Sequence, residues 1–244
     1  MICSLFMAVA LALYYYASPA TYAYNVWRDS KNKPEMWQIP QRLSLDASVP
    51  DSVKHVSFHG ASFSTSWSDS KVVREFDWGG LLTFGDTRSI LFLGIAREPV
   101  DFRTLSLKYN DGWLKGIVSE QDMRSSYDLE RDVLSTSPGV LPFSLNRKSM
   151  VRRSMFLTAK WICAGRGETG IYEFQTERTR GFQKGNPEKT GSVVLDVYDR
   201  NDRMTTIIIS STTKSVKRLT QSEVNTFLES LEIDPNLPTQ SSWR

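Results

Sequence analysis

Imidazole is both a metal ligand and an acid–base group near neutral pH, and the chain holds two, His55 and His59. On a strand, residues four apart share a face but stand about 13 Å from each other, too far to hold one ion. A turn at His59-Gly60 would shorten that distance, yet no further ligand cluster accompanies the pair. Exposed strand and turn histidines are expected, and no metal. With the two histidines so close in sequence and no G-x-S-x-G elbow, a Ser/His/Asp triad has few ways to form. Asp and Glu total 27, which leaves carboxylate catalysis open, but no spacing marks a pair.

The remaining reactive types are equally restrained. Cys3 lies in an apolar N-terminal run, so Cys163 has no partner for a disulfide within the globular part. Following LTAKWIC, it reads as a buried structural cysteine. Gly165-Arg-Gly-Glu-Thr-Gly170 spells G-x-G-x-x-G, but a helix precedes it and a strand follows. Dinucleotide binding needs the reverse order, with phosphate at a helix N-terminus. The run reads as a helix C-cap and turn, and no cofactor is expected.

Two clusters remain as binding candidates. Arg147, Lys148, Arg152 and Arg153 place cations near a helix start, where they oppose the macrodipole. An anionic lipid headgroup or an acidic protein face would offset that cost. The alternative is a solvated face balanced by Asp128, Glu130 or Asp132 on the preceding helix. The glycine-bounded stretch Gly181–Gly191 offers Phe182, Lys184 and Asn186 as a binding loop, or is a plain hairpin connection.

The elements that must position these residues follow from pattern. Val53–Phe58 and Ala61–Trp67 read as a hairpin, followed by strands at Val72–Phe76, Leu81–Phe84 and Ser89–Ala96. One helix begins near Ser125 or Ser126 and stops at Ser137-Pro138-Gly139. A second starts after Ser144 as N-cap and runs to Cys163; its later part, Met155 to Ile162, is apolar nearly all round and should be buried. Trp67, Trp78, Trp113 and Trp161 are expected in the core or on a sheet face. Strands then recur at Ile171–Glu177, Arg180–Gln183, Val193–Tyr198 and Met204–Ser210, with a hairpin turn at Asp199–Asp202. A last helix opens on a capping box, Thr220 to Glu223, and carries an apolar stripe of Val224, Phe227, Leu228 and Leu231.

Composition bounds the class. The 244 residues are 40% hydrophobic and 23% charged with a formal charge of +3, against disorder, a polytopic membrane protein and a nucleic-acid partner. No charge occurs from Met1 to Trp27, and Ile2 to Tyr16 is strongly apolar, with Tyr14, Tyr15, Tyr16, Tyr22, Tyr24 and Trp27 toward one end. Residues 1–27 are a transmembrane anchor or a signal peptide cleaved near Ser18-Pro19-Ala20 or Thr21-Tyr22-Ala23. Arg28, Lys31 and Lys33 follow it, which by the positive-inside rule would hold the C-terminal side in the cytoplasm. The expected organisation is this segment, a proline-bearing tether over 28–52, a single α+β domain over 53–233 and a loose tail over 234–244.

The hairpin FHGASFSTSW, the strand SILFLGIA, the sheet from Gly170 to Ser210 and the amphipathic last helix resemble in layout the PsbP/Mog1-type α/β sandwich. The run Gly181-Phe-Gln-Lys-Gly-Asn-Pro187 is similar to a GFQxGxP stretch of an uncharacterised bacterial membrane-anchored family. Neither resemblance implies a catalytic residue; the first implies a protein-binding role. The expected fold is α+β, an antiparallel sheet covered by about three helices. The expected role is a non-catalytic, membrane-anchored or exported interaction module, with a protein or an anionic lipid as partner. A small-molecule or lipid binder with a pocket between sheet and helices is the alternative, and a hydrolase the third.

Overall fold

The computed structural model describes residues 20–45, 53–77, 79–85, 87–97, 125–139, 146–163, 170–212 and 218–237. They fall into two compact units. The first comprises 20–39, 128–139 and 146–163; the second comprises the described residues of 40–97, 125–127 and 170–237.

Alternation of apolar side chains builds the second unit. Strands β1 (Gln41–Arg42), β2 (Lys54–Phe58), β3 (Ala61–Thr65), β4 (Ser70–Phe76), β5 (Gly79–Phe84) and β6 (Arg88–Arg97) precede the helical segment. Strands β7 (Ile171–Gln175), β8 (Arg180–Lys184), β9 (Ser192–Tyr198), β10 (Met204–Ser211) and β11 (Glu232–Ile233) follow it. Eight form one sheet in the order β1-β7-β8-β9-β10-β6-β5-β4, and three form a second, β11-β3-β2. All pairings are antiparallel except β1 with β7. The mixed sheet and helices are consistent with the α+β class expected from sequence, and the sheet is larger than expected: β10 pairs with β6, joining strands from both halves of the chain. Gln41 and Arg42, within the segment expected as a tether, form its edge strand.

One face of this sheet carries the core. Ile90, Phe92, Val193, Leu195, Val197, Ile207 and Ile209 are fully buried together with Phe63 of β3. The helix Gln221–Ser230 inserts Val224, Phe227 and Leu228 into the same cluster, with the Phe63 and Phe227 rings 4.8 Å apart. Its capping box forms as the sequence expects. Glu223 of that box also receives Trp67 Nε1–H at 2.9 Å and Arg88 Nη2–H at 3.0 Å. Arg88 is 3% exposed, so the pair depends on its geometry to offset desolvation. Burial works to raise the Glu223 pKa; the Thr220 N–H, Trp67 and Arg88 outweigh it and hold the carboxyl below its ordinary value.

Helices build the first unit. Residues 20–31 form α1, Pro34–Trp37 α2, Ser126–Ser135 α3 and Arg147–Cys163 α4. The first two residues of α3 belong to the second unit, where the Asp202 carboxylate accepts the Ser126 N–H and, at 3.0 Å, the Ser125 hydroxyl. That carboxylate comes from the expected 199–202 turn, with Asp202 at φ 60°. The helix α3 ends at Ser135, just before the expected stop at Ser137-Pro138-Gly139. Arg153 donates to the carbonyls of Ser137 (3.0 Å) and Pro138 (3.2 Å), and the Trp27 indole to that of Gly139 (3.3 Å). The cap of α4 differs from expectation. Ser144 lies outside the described residues, and Asn146 Oδ1 accepts the Lys148 N–H at 3.1 Å and that of Ser149 at 3.4 Å.

At β8, Gly181 is required by close approach. A Cβ there would collide with the Asp196 carbonyl oxygen and stand 2.9 Å from Phe174 Cζ. Gly181→Ala is expected to destabilise the fold by about 1–3 kcal/mol in urea unfolding. Wild-type stability contributed by Glu223 is present at neutral pH and lost as pH falls through its lowered folded pKa. Unfolding followed between neutral pH and the acid limb should therefore show a steeper loss for wild type than for Glu223→Gln.

Candidate functional site

A concavity of about 920 Å³ lies within the second unit. His55 of β2 and its cross-strand partner Ser64 form one wall. The turn after β7, with Glu177 and Arg178, forms another, and Glu229 and Glu232 close the groove. The turn is held by Thr176 Oγ1, which accepts the N–H groups of Arg178 (3.1 Å) and Thr179 (2.9 Å). Arg178 Nη1 then reaches Glu232 Oε2 at 2.7 Å. Ser230 Oγ accepts the Ser64 N–H at 2.8 Å and donates to Thr226 O at 2.8 Å, so the floor is satisfied internally. Arg42, His55, Glu177 and Glu229 are exposed, and Leu45 alone among the lining residues is apolar. A groove of this kind can exchange ion pairs and hydrogen bonds with a polar ligand or polypeptide.

The two histidines part company. His55 lines the groove, whereas His59 sits in the β2–β3 turn with Nε2 3.0 Å from Glu75 Oε1. Among the described residues no group of three or more His, Cys, Asp or Glu could hold a metal ion. Within the basic cluster, Arg152 and Arg153 line one concavity with Asp132 and Phe156. Arg153 binds the carbonyls after α3, while Arg152 lies 3.6 Å from Asp132 and over the Phe156 ring. That is the balancing of charge by the preceding helix that the sequence offered as the alternative. Lys148 is exposed, and the side chain of Arg147 is outside the described residues.

The candidate loop residues lie on regular elements. Phe182 and Lys184 are on β8 and buried; Phe182 stacks on Tyr127 at 5.2 Å, and Lys184 pairs with Asp196, which also accepts the Thr206 hydroxyl at 2.8 Å. Asn186 caps the short helix Pro187–Thr190, accepting from Glu188 N–H at 3.0 Å. Asn-Pro was a legible start signal for that helix. The side chain of Cys163, residues 164–169 of the glycine run, and Trp78 and Trp113 lie outside the described residues.

The first unit reverses one expectation. Trp161, expected in the core, is 44% exposed, and its neighbour Lys160 is fully buried. The buried stripe of α4 runs through Met150, Ser154, Leu157 and Lys160, so the lysine takes the inward position and the indole turns out. Lys160 Nζ donates to Thr136 O at 2.8 Å and to Gln38 O, carbonyls just beyond the ends of α3 and α2. Burial lowers its pKa to about 8. Outside, Lys33 Nζ lies 3.4 Å from the centroid of the Trp161 ring, and Trp37, 49% exposed, donates its indole N–H to Lys31 O at 2.9 Å. Neither Trp37 nor the Lys33–Trp161 contact was foreseen from sequence.

Compared with protein-family models, curated proteins and solved structures, the chain matches none. Among the described residues no helix is long and apolar enough to cross a membrane; the apolar run of residues 2–16 lies outside them.

The Lys160 pKa lies below its ordinary 10.5, so unfolding takes up a proton in the window between about 8 and 10.5. Stability should rise with pH across that window by up to about 3 kcal/mol. Urea unfolding of Lys160→Met at the same pH values should lack this rise. Parallel pH curves for the two proteins would mean that Lys160 is solvated.

Proposed function

We propose that the chain is a non-catalytic, membrane-anchored interaction module of the bacterial cell envelope. In this reading the apolar run of residues 2–16 is the anchor, the second unit's sheet and last helix follow the layout of PsbP/Mog1-type sandwiches, and the groove of the second unit receives another polypeptide. One observation carries it: the groove of about 920 Å³ is lined by charges of both signs and hydroxyl or amide groups, with Leu45 its single apolar member. Protein surfaces present that mixture, and rim charges of both signs give orientation and register. An apolar ligand would leave these groups desolvated and unpaired.

The experiment places a photo-cross-linking amino acid at Glu229 of the full chain in cells. The expected result is a discrete adduct with another polypeptide in the membrane fraction, lost when Arg178→Glu reverses the charge beside it. Recovery of the chain in the soluble fraction contradicts anchoring. Absence of a polypeptide adduct contradicts the interaction role.

A further inference from the structure

Among the described residues, four of the seven large hydrophobic side chains that stand exposed, Tyr24, Trp37, Ile39 and Trp161, belong to the first unit. Three of them are aromatic, and cations lie on the rings around them. Lys31 Nζ is 4.6 Å from the Trp27 ring and Lys33 Nζ 3.4 Å from that of Trp161. Tyr24 and Trp27 are 6.0 Å apart, and Trp37 is tied to the Lys31 carbonyl. The residues form one strip: Tyr24, Trp27 and Lys31 along α1, then Lys33, Trp37 and Trp161. Indoles and phenols beside ammonium groups match the layer where hydrocarbon meets headgroups, because each ring has an apolar body and a polar edge. In plain water the strip exposes apolar surface without return.

The chain outside the described residues indicates what covers it. The apolar run ends at Tyr16, so residues 17–19 alone separate it from Ala20, the first described residue of α1. Three residues span at most about 10 Å. If the run is in the bilayer, Ala20 therefore lies close to the headgroup layer. The described part of the helix, residues 20–31, is about 18 Å long. Standing upright, it would lift Lys31 clear of the surface; lying flat, it keeps Tyr24, Trp27 and Lys31, which follow one helix face, at one depth. The inward turn of Lys160 points the same way, since it leaves the indole on the outside while a cation occupies the core position.

We propose that this strip rests on the bilayer, with α1 parallel to the membrane plane, Tyr24, Trp37 and Trp161 seated among the headgroups and Lys31 and Lys33 facing anionic lipid. The proposal rests on the anchored reading above and extends it: the first unit is held against the membrane along its side rather than dangling from one end.

The full chain is reconstituted into vesicles of phosphatidylcholine with a minority of phosphatidylglycerol, with and without bromine high on the acyl chains, and tryptophan quenching is measured after flotation. Bromolipid should quench wild type. Trp37→Ser and Trp161→Ser should each remove roughly a third of the quenched emission, as expected when three strip tryptophans share the interface. Trp67→Phe, in the core of the second unit, should leave the quenched component unchanged, and phosphatidylcholine alone should give weaker quenching. Failure to float contradicts the anchor itself and the strip with it. Flotation with quenching insensitive to Trp37 and Trp161 overturns the strip and leaves the anchor standing. The same insensitivity together with a chain-to-chain cross-link at position 161 would give the strip to a second copy, which also overturns the bilayer assignment.

Discussion

The surface of the first unit depends on where one lysine points. A buried ammonium is expensive because its hydration is lost, and it persists where strong acceptors replace the water. Lys160 meets the carbonyls of Thr136 and Gln38, so one side chain binds just beyond the ends of α3 and α2 at once. Among the described residues no carboxylate pairs with it, and burial lowers its pKa to about 8. With that position fixed inward, the 100° step of the helix sends Trp161 outward, where Lys33 lies across its face. The contact between a buried cation and two carbonyls thus decides which aromatic groups the unit presents.

The second unit solves a different problem. Its eight-stranded sheet buries Ile, Val and Phe on one face beneath β3 and the last helix. The Arg88–Glu223 pair joins the start of β6 to that helix, and Trp67 adds a hydrogen bond to the same carboxylate. The other side of β8 and β9 carries polar contacts within strands, such as Lys184 with Asp196. These charges are consumed in structure. Among the charges left to solvent are those at the groove beside Arg178 and Glu232, the region proposed above for recognition.

Much of this was legible in the residues. Period-two alternation marked the strands of the second unit, because each sheet face selects its own side chains. Thr220 and Glu223 announced the last helix, and the Asp199–Asp202 turn was plain in its composition. The pairing of β10 with β6 was not, since strand order depends on contacts across more than a hundred residues and leaves no local mark. The groove was invisible for the same reason: Arg42, His55, Arg178 and Glu229 come from four separate segments. Trp161 was misjudged because an apolar run with one lysine looks like a buried helix with the lysine at its edge. Inverting that pattern needs two carbonyl acceptors that only the folded unit supplies.

The orientation of Lys160 is the point on which the account of the first unit turns, and its proton reports it directly. Carbon-13 labelling of lysine side chains in the full chain, held in detergent and titrated by NMR, separates a buried ammonium from solvated ones. One lysine titrating near 8, absent from Lys160→Met, is the predicted result. Titration of every lysine near its ordinary value of about 10.4 would place Lys160 in water and contradict the inward lysine and the outward indole together.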